Sequence, residues 1–110
     1  MKKQTLSEAQ LEFHHQDLKQ AQNVLRALNH KMRIQLLRML HLKPGTTVTE
    51  LYTKMKLKQS MASQQLAILR SANLAYLRRS RVTVLYFVNY STLNTISEVC
   101  SQLVKHKDLV

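Results

Sequence analysis

Only one stretch of this chain carries a strong turn signal, Lys43-Pro44-Gly45-Thr46, and it contains both the sole Pro and the sole Gly of the 110 residues. A chain so short of breakers has to be built from long regular elements joined by short connections. The turn is too short to be a domain linker, and apolar patterning continues on both sides of it. One domain over residues 1–110 is therefore expected, with a core modest enough that pairing with a second copy would help it.

Ahead of the turn the pattern is helical. Ser7-Glu8-Ala9-Gln10 reads as a capping box, in which the Ser and Gln side chains satisfy backbone amides reciprocally. It opens a helix over 8–28. Leu11, Leu18 and Leu25 recur at heptad spacing, with Ala21 and Leu28 beside them. That seam is too long for a small core and suits a partner surface. His14 and His15 are adjacent, so they point about 100° apart and cannot both face one metal ion. Asn29-His30 breaks the pattern, and Lys31 to Leu42 reads as a second helix. Ile34, Leu36, Leu37 and Leu40 are expected inward, with Lys31, Arg33 and Arg38 outward.

Beyond the turn, Thr47-Val48-Thr49-Glu50 is a second capping box. It opens a short helix to Met55 with Val48, Leu51, Tyr52 and Met55 as its buried set. Lys56-Leu57-Lys58 then leads into the next helix, which makes residues 48–72 a helix-turn-helix. Laid out at about 100° per residue, Gln59 to Asn73 has two unlike sides. Gln59, Ser60, Ser63, Gln64, Ala67, Arg70 and Ser71 form the front. Met61, Ala62, Leu66, Ile68, Leu69 and Ala72 form the back, with Gln65 as a polar intruder. The front holds no carboxylate, and Gln and Ser hydrogen-bond to base edges and phosphates. Taken alone, it is equally well an ordinary solvated face. Lys58 stands at the N-cap position, where Lys is a poor cap. Either Ser60 caps and the helix starts later, or phosphate contact offsets the missing cap.

After Asn73 the period changes. Leu74 to Ser80 and Val82 to Val88 are rich in β-branched and aromatic residues and read as a hairpin over 74–88. Its tip, Arg79-Ser80-Arg81 preceded by Arg78, has no Gly or Asn, so a longer or type I-based loop is expected. Three clustered Arg repel one another, and a phosphate backbone relieves that repulsion. The plainer reading is a charged edge that keeps strands from aggregating. Asn89 to Ser91 offers caps for a last helix over 92–105, where Leu93, Ile96, Val99, Cys100, Leu103 and Val104 make a broad apolar stripe.

Charge placement narrows the function. The formal net charge is +11, and from Leu18 to Ser97 thirteen Lys or Arg stand against one acid, Glu50. A segment so stripped of acids points to nucleic acid, or less often to an anionic membrane surface. No apolar run approaches the ~18 residues of a spanning helix, and the basic start has no apolar run behind it, so no secretory signal is read. The lone Cys100 cannot form an internal disulfide, which suits the cytoplasm. No Ser/His/Asp set, paired carboxylates or Gly-rich phosphate loop can be assembled, so neither an enzyme nor a cofactor is expected.

The order helix, helix, helix-turn-helix, β-hairpin, helix resembles the ArsR/SmtB family of winged-helix repressors from about Val24 to Val88. The resemblance is carried by Leu25-Arg-Ala-Leu-Asn-His-Lys-Met-Arg-Ile-Gln-Leu-Leu37, by Val48-Thr-Glu-Leu51, by Gln59-Ser-Met-Ala-Ser-Gln-Gln-Leu-Ala-Ile-Leu-Arg-Ser-Ala-Asn-Leu74 and by Val82-Thr-Val-Leu-Tyr-Phe-Val88. Ser60, Ser63, Leu66 and Leu69 match the family's recognition-helix pattern, whereas Gln64 and Gln65 stand where Arg and His are usual. Asn73 replaces the usual Gly, and Asn also accepts a left-handed backbone.

The resemblance implies a mainly α fold with a β-hairpin wing, a dimeric winged helix-turn-helix. It implies a homodimer held by the first and last helices through Leu11, Leu18, Leu25, Leu93, Ile96, Cys100 and Leu103. It implies an inverted-repeat operator in double-stranded DNA, with Lys58, Gln59, Ser60, Ser63, Gln64, Gln65 and Arg70 at the major groove and Arg78, Arg79 and Arg81 on the wing. The family's metal motifs do not carry over. Thr47 and Thr49 stand where two cysteines would be needed, and Tyr90, Thr92, Leu103 and His106 where Asp, His and acid ligands would be needed. The reading is a dimeric repressor without a recognised metal site, with its inducer unidentified. The alternatives are a redox- or small-molecule-responsive repressor, and a winged-helix interaction module whose basic face meets an acidic protein.

Overall fold

The computed structural model describes residues 7–107, apart from the side chains of residues 9–13 and 106–107. Seven elements follow in order: α1 (Glu8–Leu28), α2 (Lys31–Leu42), α3 (Val48–Met55), α4 (Gln59–Ser71), β1 (Ala75–Ser80), β2 (Thr83–Val88) and α5 (Tyr90–Lys107). Leu11 and the Gln10 half of the first capping box lie outside the described side chains.

The helix ends follow local chemistry. His30 caps α2, its Nδ1 accepting from the Met32 amide at 3.2 Å. Thr47 caps α3 by accepting from the Glu50 amide at 3.2 Å. The Glu50 carboxylate turns to Lys43 instead, Nζ to Oε2 2.5 Å. α3 and α4 both end in the Schellman arrangement, in which two amides fold back onto the last free carbonyls. At α4 the Asn73 amide donates to Arg70 O and the Leu74 amide to Leu69 O. The residue that turns the chain must then be left-handed, and it is Asn73 at φ 60° and, after α3, Lys56 at φ 55°.

The core is a leucine cluster from four segments: Leu36 and Leu40 of α2, Leu51 of α3, Leu66 and Leu69 of α4, and Leu74 ahead of β1, all essentially without exposure. On α4 the buried stripe is Ala62, Leu66 and Leu69, the i, i+4, i+7 row that seats one helix on its neighbours. The stripe is narrower than the whole apolar side. Met61 and Ile68, expected at the back, are 38% and 36% exposed. Ile34, expected inward, is 42% exposed and faces the α1 side of α2 rather than the core. Leu66→Ala should cost about 2–5 kcal/mol, as deletions of packed leucines do. A urea denaturation series that shows under 1 kcal/mol, against the range expected for that deletion, would place Leu66 outside the core.

β1 and β2 form an antiparallel pair in a register that runs from Ala75↔Val88 to Ser80↔Thr83. Each strand starts one residue later than its sequence run. The connection is only Arg81-Val82, so of the two expected forms the longer loop is not taken. Neither residue has positive φ, so the turn is not one of the primed types that want Gly or Asn. A third short strand position went unread in the sequence: Thr46 bridges to Tyr86, with the Tyr86 amide donating to Thr46 O at 2.9 Å. Thr46 is 2% exposed, and its hydroxyl donates to the Lys43 carbonyl. Gly45 makes this approach possible. Its φ is 80°, and a Cβ there would meet Phe87 Cζ at 3.3 Å.

α5 begins at Tyr90, two residues ahead of the expected start, capped by Asn89 Oδ1 (Thr92 amide, 3.4 Å), and it runs to Lys107. Tyr90 Oη meets His41 Nδ1 at 2.8 Å, which fastens the start of α5 to the end of α2. The radius of gyration is 17.6 Å, where a compact chain of this length has about 13 Å. The outer parts of α1 and α5 hold apolar side chains in the open. Leu18 is 67% exposed, Leu103 62% and Val104 66%.

Candidate nucleic-acid interface

The front of α4 is presented to solvent as the sequence orders it. Lys58, Gln59, Ser60, Ser63, Gln64, Ala67, Arg70 and Ser71 are all exposed. α4 starts at Gln59, and Lys58 makes no side-chain cap bond, so the option of a later start capped by Ser60 is not taken. The first amides of α4 therefore take no side-chain cap from Lys58, and a helix start of this kind favours an anion. Lys54 and Lys56 are exposed on the approach to it.

Gln65 lies elsewhere. Expected with the DNA contacts, it is half-buried, and its Oε1 accepts from Arg33 Nη1 at 2.8 Å. Arg33, expected outward, is half-buried because it has other work. Its Nε donates to Ala27 O at 2.5 Å and its Nη2 to Arg26 O at 3.2 Å. Sequence reasoning missed this arginine. The available signal was its place in the first turn after a helix end, since the last carbonyls of a helix need donors.

The wing arginines are exposed but do not act as one group. The register puts Tyr76 and Arg78 on one face with Phe87 and Leu85, and puts Arg79 opposite Val84 on the face that carries Ala75 and Val88 into the core. Tyr76 and Phe87 stack at 5.3 Å, and the Arg78 guanidinium lies 5.8 Å from the Tyr76 ring centroid and 6.0 Å from that of Phe87. Arg78 is thus steadied by aromatic faces, while Arg81 occupies the turn.

The acid of this segment is answered locally. The hydrogen bond from Lys43 holds the Glu50 carboxyl below its usual value, against a smaller opposing effect of burial. A depressed carboxylate keeps its pair above the unfolded-state value and loses it only as pH falls through the lowered one. At neutral pH the face near α4 therefore shows basic and neutral polar groups.

Away from this face, the described residues of the expected dimer seam lie on α1 and α5. Leu18 and Leu103 are open, and Leu25, Leu93, Ile96 and Cys100 are half-buried. Leu18, Leu25, Leu28 and Ile34 line an open groove of about 850 Å³. At the positions where the family holds metal, Thr47 is spent on its cap and Tyr90 on His41, and the His106 side chain lies outside those described. His14 and His15 are exposed. Among the described residues no three His, Cys, Asp or Glu gather as a metal site, and no helix is long and apolar enough to cross a membrane.

Comparisons with known proteins agree on the architecture. Residues 30–76 match the family described as bacterial regulatory protein, arsR family. The crystal structure of NolR from Sinorhizobium fredii is 30% identical, covering 92% of this chain and 96% of that one with a TM-score of 0.68. The transcriptional regulator HlyU from Vibrio vulnificus is 33% identical, covering 84% and 96% with a TM-score of 0.61. A homodimeric winged helix-turn-helix DNA-binding domain from Mycobacterium bovis, described as a possible ArsR-family regulator, is 25% identical, covering 100% and 94% with a TM-score of 0.67. No curated protein sequence matches.

Proposed function

The chain belongs to the ArsR family of bacterial regulatory proteins, and from that premise we propose that it is a cytoplasmic homodimeric repressor that binds an inverted-repeat operator in double-stranded DNA. As a member of this family it is a DNA-binding transcriptional regulator and not an enzyme. The observation that carries the finer reading is the exposed, acid-free front of α4 beside three exposed wing arginines. A helix of this width fits the major groove, where Gln and Ser meet base edges, while Arg at the wing meets phosphate or a narrow minor groove. Two copies joined through α1 and α5 would present two such helices, and a two-fold protein reads a palindromic site.

The proposed contact set is Lys58, Gln59, Ser60, Ser63, Gln64 and Arg70 from α4 and its approach, with Arg78, Arg79 and Arg81 from the wing. Gln65 is left out because its amide oxygen is engaged by Arg33. The test is selection of bound duplexes from a random-sequence pool, followed by a gel shift of the enriched duplex against random competitor. Recovery of an inverted repeat supports the reading. Enrichment of no sequence would leave a basic module without an operator.

The repressor is also proposed to be indifferent to metal. Thr47, Thr49, Thr92 and Leu103 supply no strong metal donor, and hard or borderline cations need carboxylate, imidazole or thiolate. Stoichiometric Zn, Cd, Ni or arsenite should leave the gel shift of the enriched duplex unchanged. Saturable binding that persists in a variant lacking His14, His15 and His106 would reveal a site this reading denies.

A further inference from the structure

α1 and α4 have different tasks in the proposed function, one holding the partner copy and the other reading DNA, yet a single side chain touches both. Arg33 stands in the first turn of α2. Two of its donors, Nε and Nη2, are spent on the Ala27 and Arg26 carbonyls at the end of α1. Its third, Nη1, holds Gln65 Oε1 in the middle of α4 at 2.8 Å. A guanidinium is planar and rigid, so three bonds in three directions fix the relative placement of what they join. It also brings positive charge to the C-terminal end of α1, where the helix dipole favours it. Gln65 precedes the buried Leu66 and follows the exposed Gln64. A rotation of α4 about its axis would move Gln64 and break the Gln65 bond together.

The leucine stripe alone sets that rotation loosely. Met61 and Ile68, which lie together beyond one edge of it at about 100° per residue, are both more than a third exposed, so α4 is not gripped across its full apolar side. The Arg33–Gln65 bond supplies the missing constraint from the α1 side.

We propose that Arg33 and Gln65 form a strut that sets the angle of α4 relative to α1, so that the reading side chains are placed by the same element that joins the two copies. Both are positioning residues for operator recognition, and neither touches DNA. The inference rests on the proposed operator-binding function.

The test measures affinity for the enriched duplex and for its scrambled counterpart, and takes the ratio. Gln65→Met keeps length and volume and removes the acceptor; Arg33→Met removes the donors. Each should lower the ratio roughly ten-fold, within the range spanned by losing one bidentate base contact, with scrambled-duplex affinity little changed for Gln65→Met. The double variant should be no worse in ratio than the worse single variant, because the two act through one bond. Gln65→Glu keeps an acceptor for Arg33. Its new charge weakens both duplexes alike, so the ratio should be preserved. A packing role alone would lower the thermal midpoint and leave the ratio intact, which overturns the proposal. So would a ratio lost in Gln65→Met and kept in Arg33→Met, because Gln65 would then contact DNA itself. If the wild type shows no preference between the duplexes, it is the operator reading that has failed, and that result is seen before any variant is made.

Discussion

Leu103→Asp should convert the protein from a folded dimer into monomer or aggregate at micromolar concentration. Leu103 is 62% exposed on α5, and Val99, one turn earlier, is 48% exposed. On α1, Leu18 is 67% exposed in line with the half-buried Leu25. Such a continuous open apolar seam is rare on a monomer, and the core beneath it is small. Covering one leucine is worth about 1.5–3 kcal/mol. A buried, unpaired carboxylate reverses that and adds a desolvation cost of several kcal/mol. The net change exceeds what a modest interface tolerates. Light scattering of the wild type and the variant decides the matter. A wild type that is a folded monomer at micromolar concentration removes the dimer, and with it the inverted repeat.

The elements of this fold were legible because each rests on local chemistry. The Thr47 cap, the left-handed Asn73, the single Pro-Gly turn and the change of period after α4 are statements about a few neighbouring residues. What escaped the sequence is what depends on distant partners. Met61, Ile68 and Ile34 have the right period to be buried, yet burial ends where the neighbouring helix ends, and no period encodes that edge. Arg33 looked like a surface arginine until the last carbonyls of α1 and the amide of Gln65 were brought beside it. Thr46 looked like turn decoration, and its bridge to Tyr86 joins residues forty positions apart. On the candidate site, helical periodicity sorted the exposed front of α4 correctly and put Gln65 on the back, where it is half-buried; only the resemblance set it among the DNA contacts. The angle places that residue in the middle of the back, but it does not say which donor meets a polar group there, and the donor is Arg33. At the hairpin tip the missing Gly and Asn left two options, a longer loop or a type I-based one, and the two-residue connection without positive φ excludes the first.

Helix and wing should fail differently when cut. Gln64 lies on the exposed front of α4, where a Gln amide can pair bidentately with adenine. Losing one such pair costs roughly 1–3 kcal/mol against the preferred base and nothing on DNA that never offered it. Gln64→Ala should therefore weaken the enriched duplex by about that amount and leave the scrambled duplex nearly unchanged. Arg81 sits in the two-residue turn between Ser80 and Thr83, exposed beside Val82, which is 95% exposed. A side chain there reaches the backbone of whatever duplex lies under it. Its contribution is counterion release, which does not depend on sequence. Arg81→Ala should weaken both duplexes alike and lower the salt slope by about one unit per subunit. Arg78, steadied over Tyr76 and Phe87, is a comparison from the same wing, and Arg78→Ala should follow Arg81→Ala in kind. A salt titration of the wild type and the variants on both duplexes reads all of this at once. If Arg81→Ala spares scrambled DNA, or Gln64→Ala weakens both duplexes equally, reader and anchor are assigned the wrong way round.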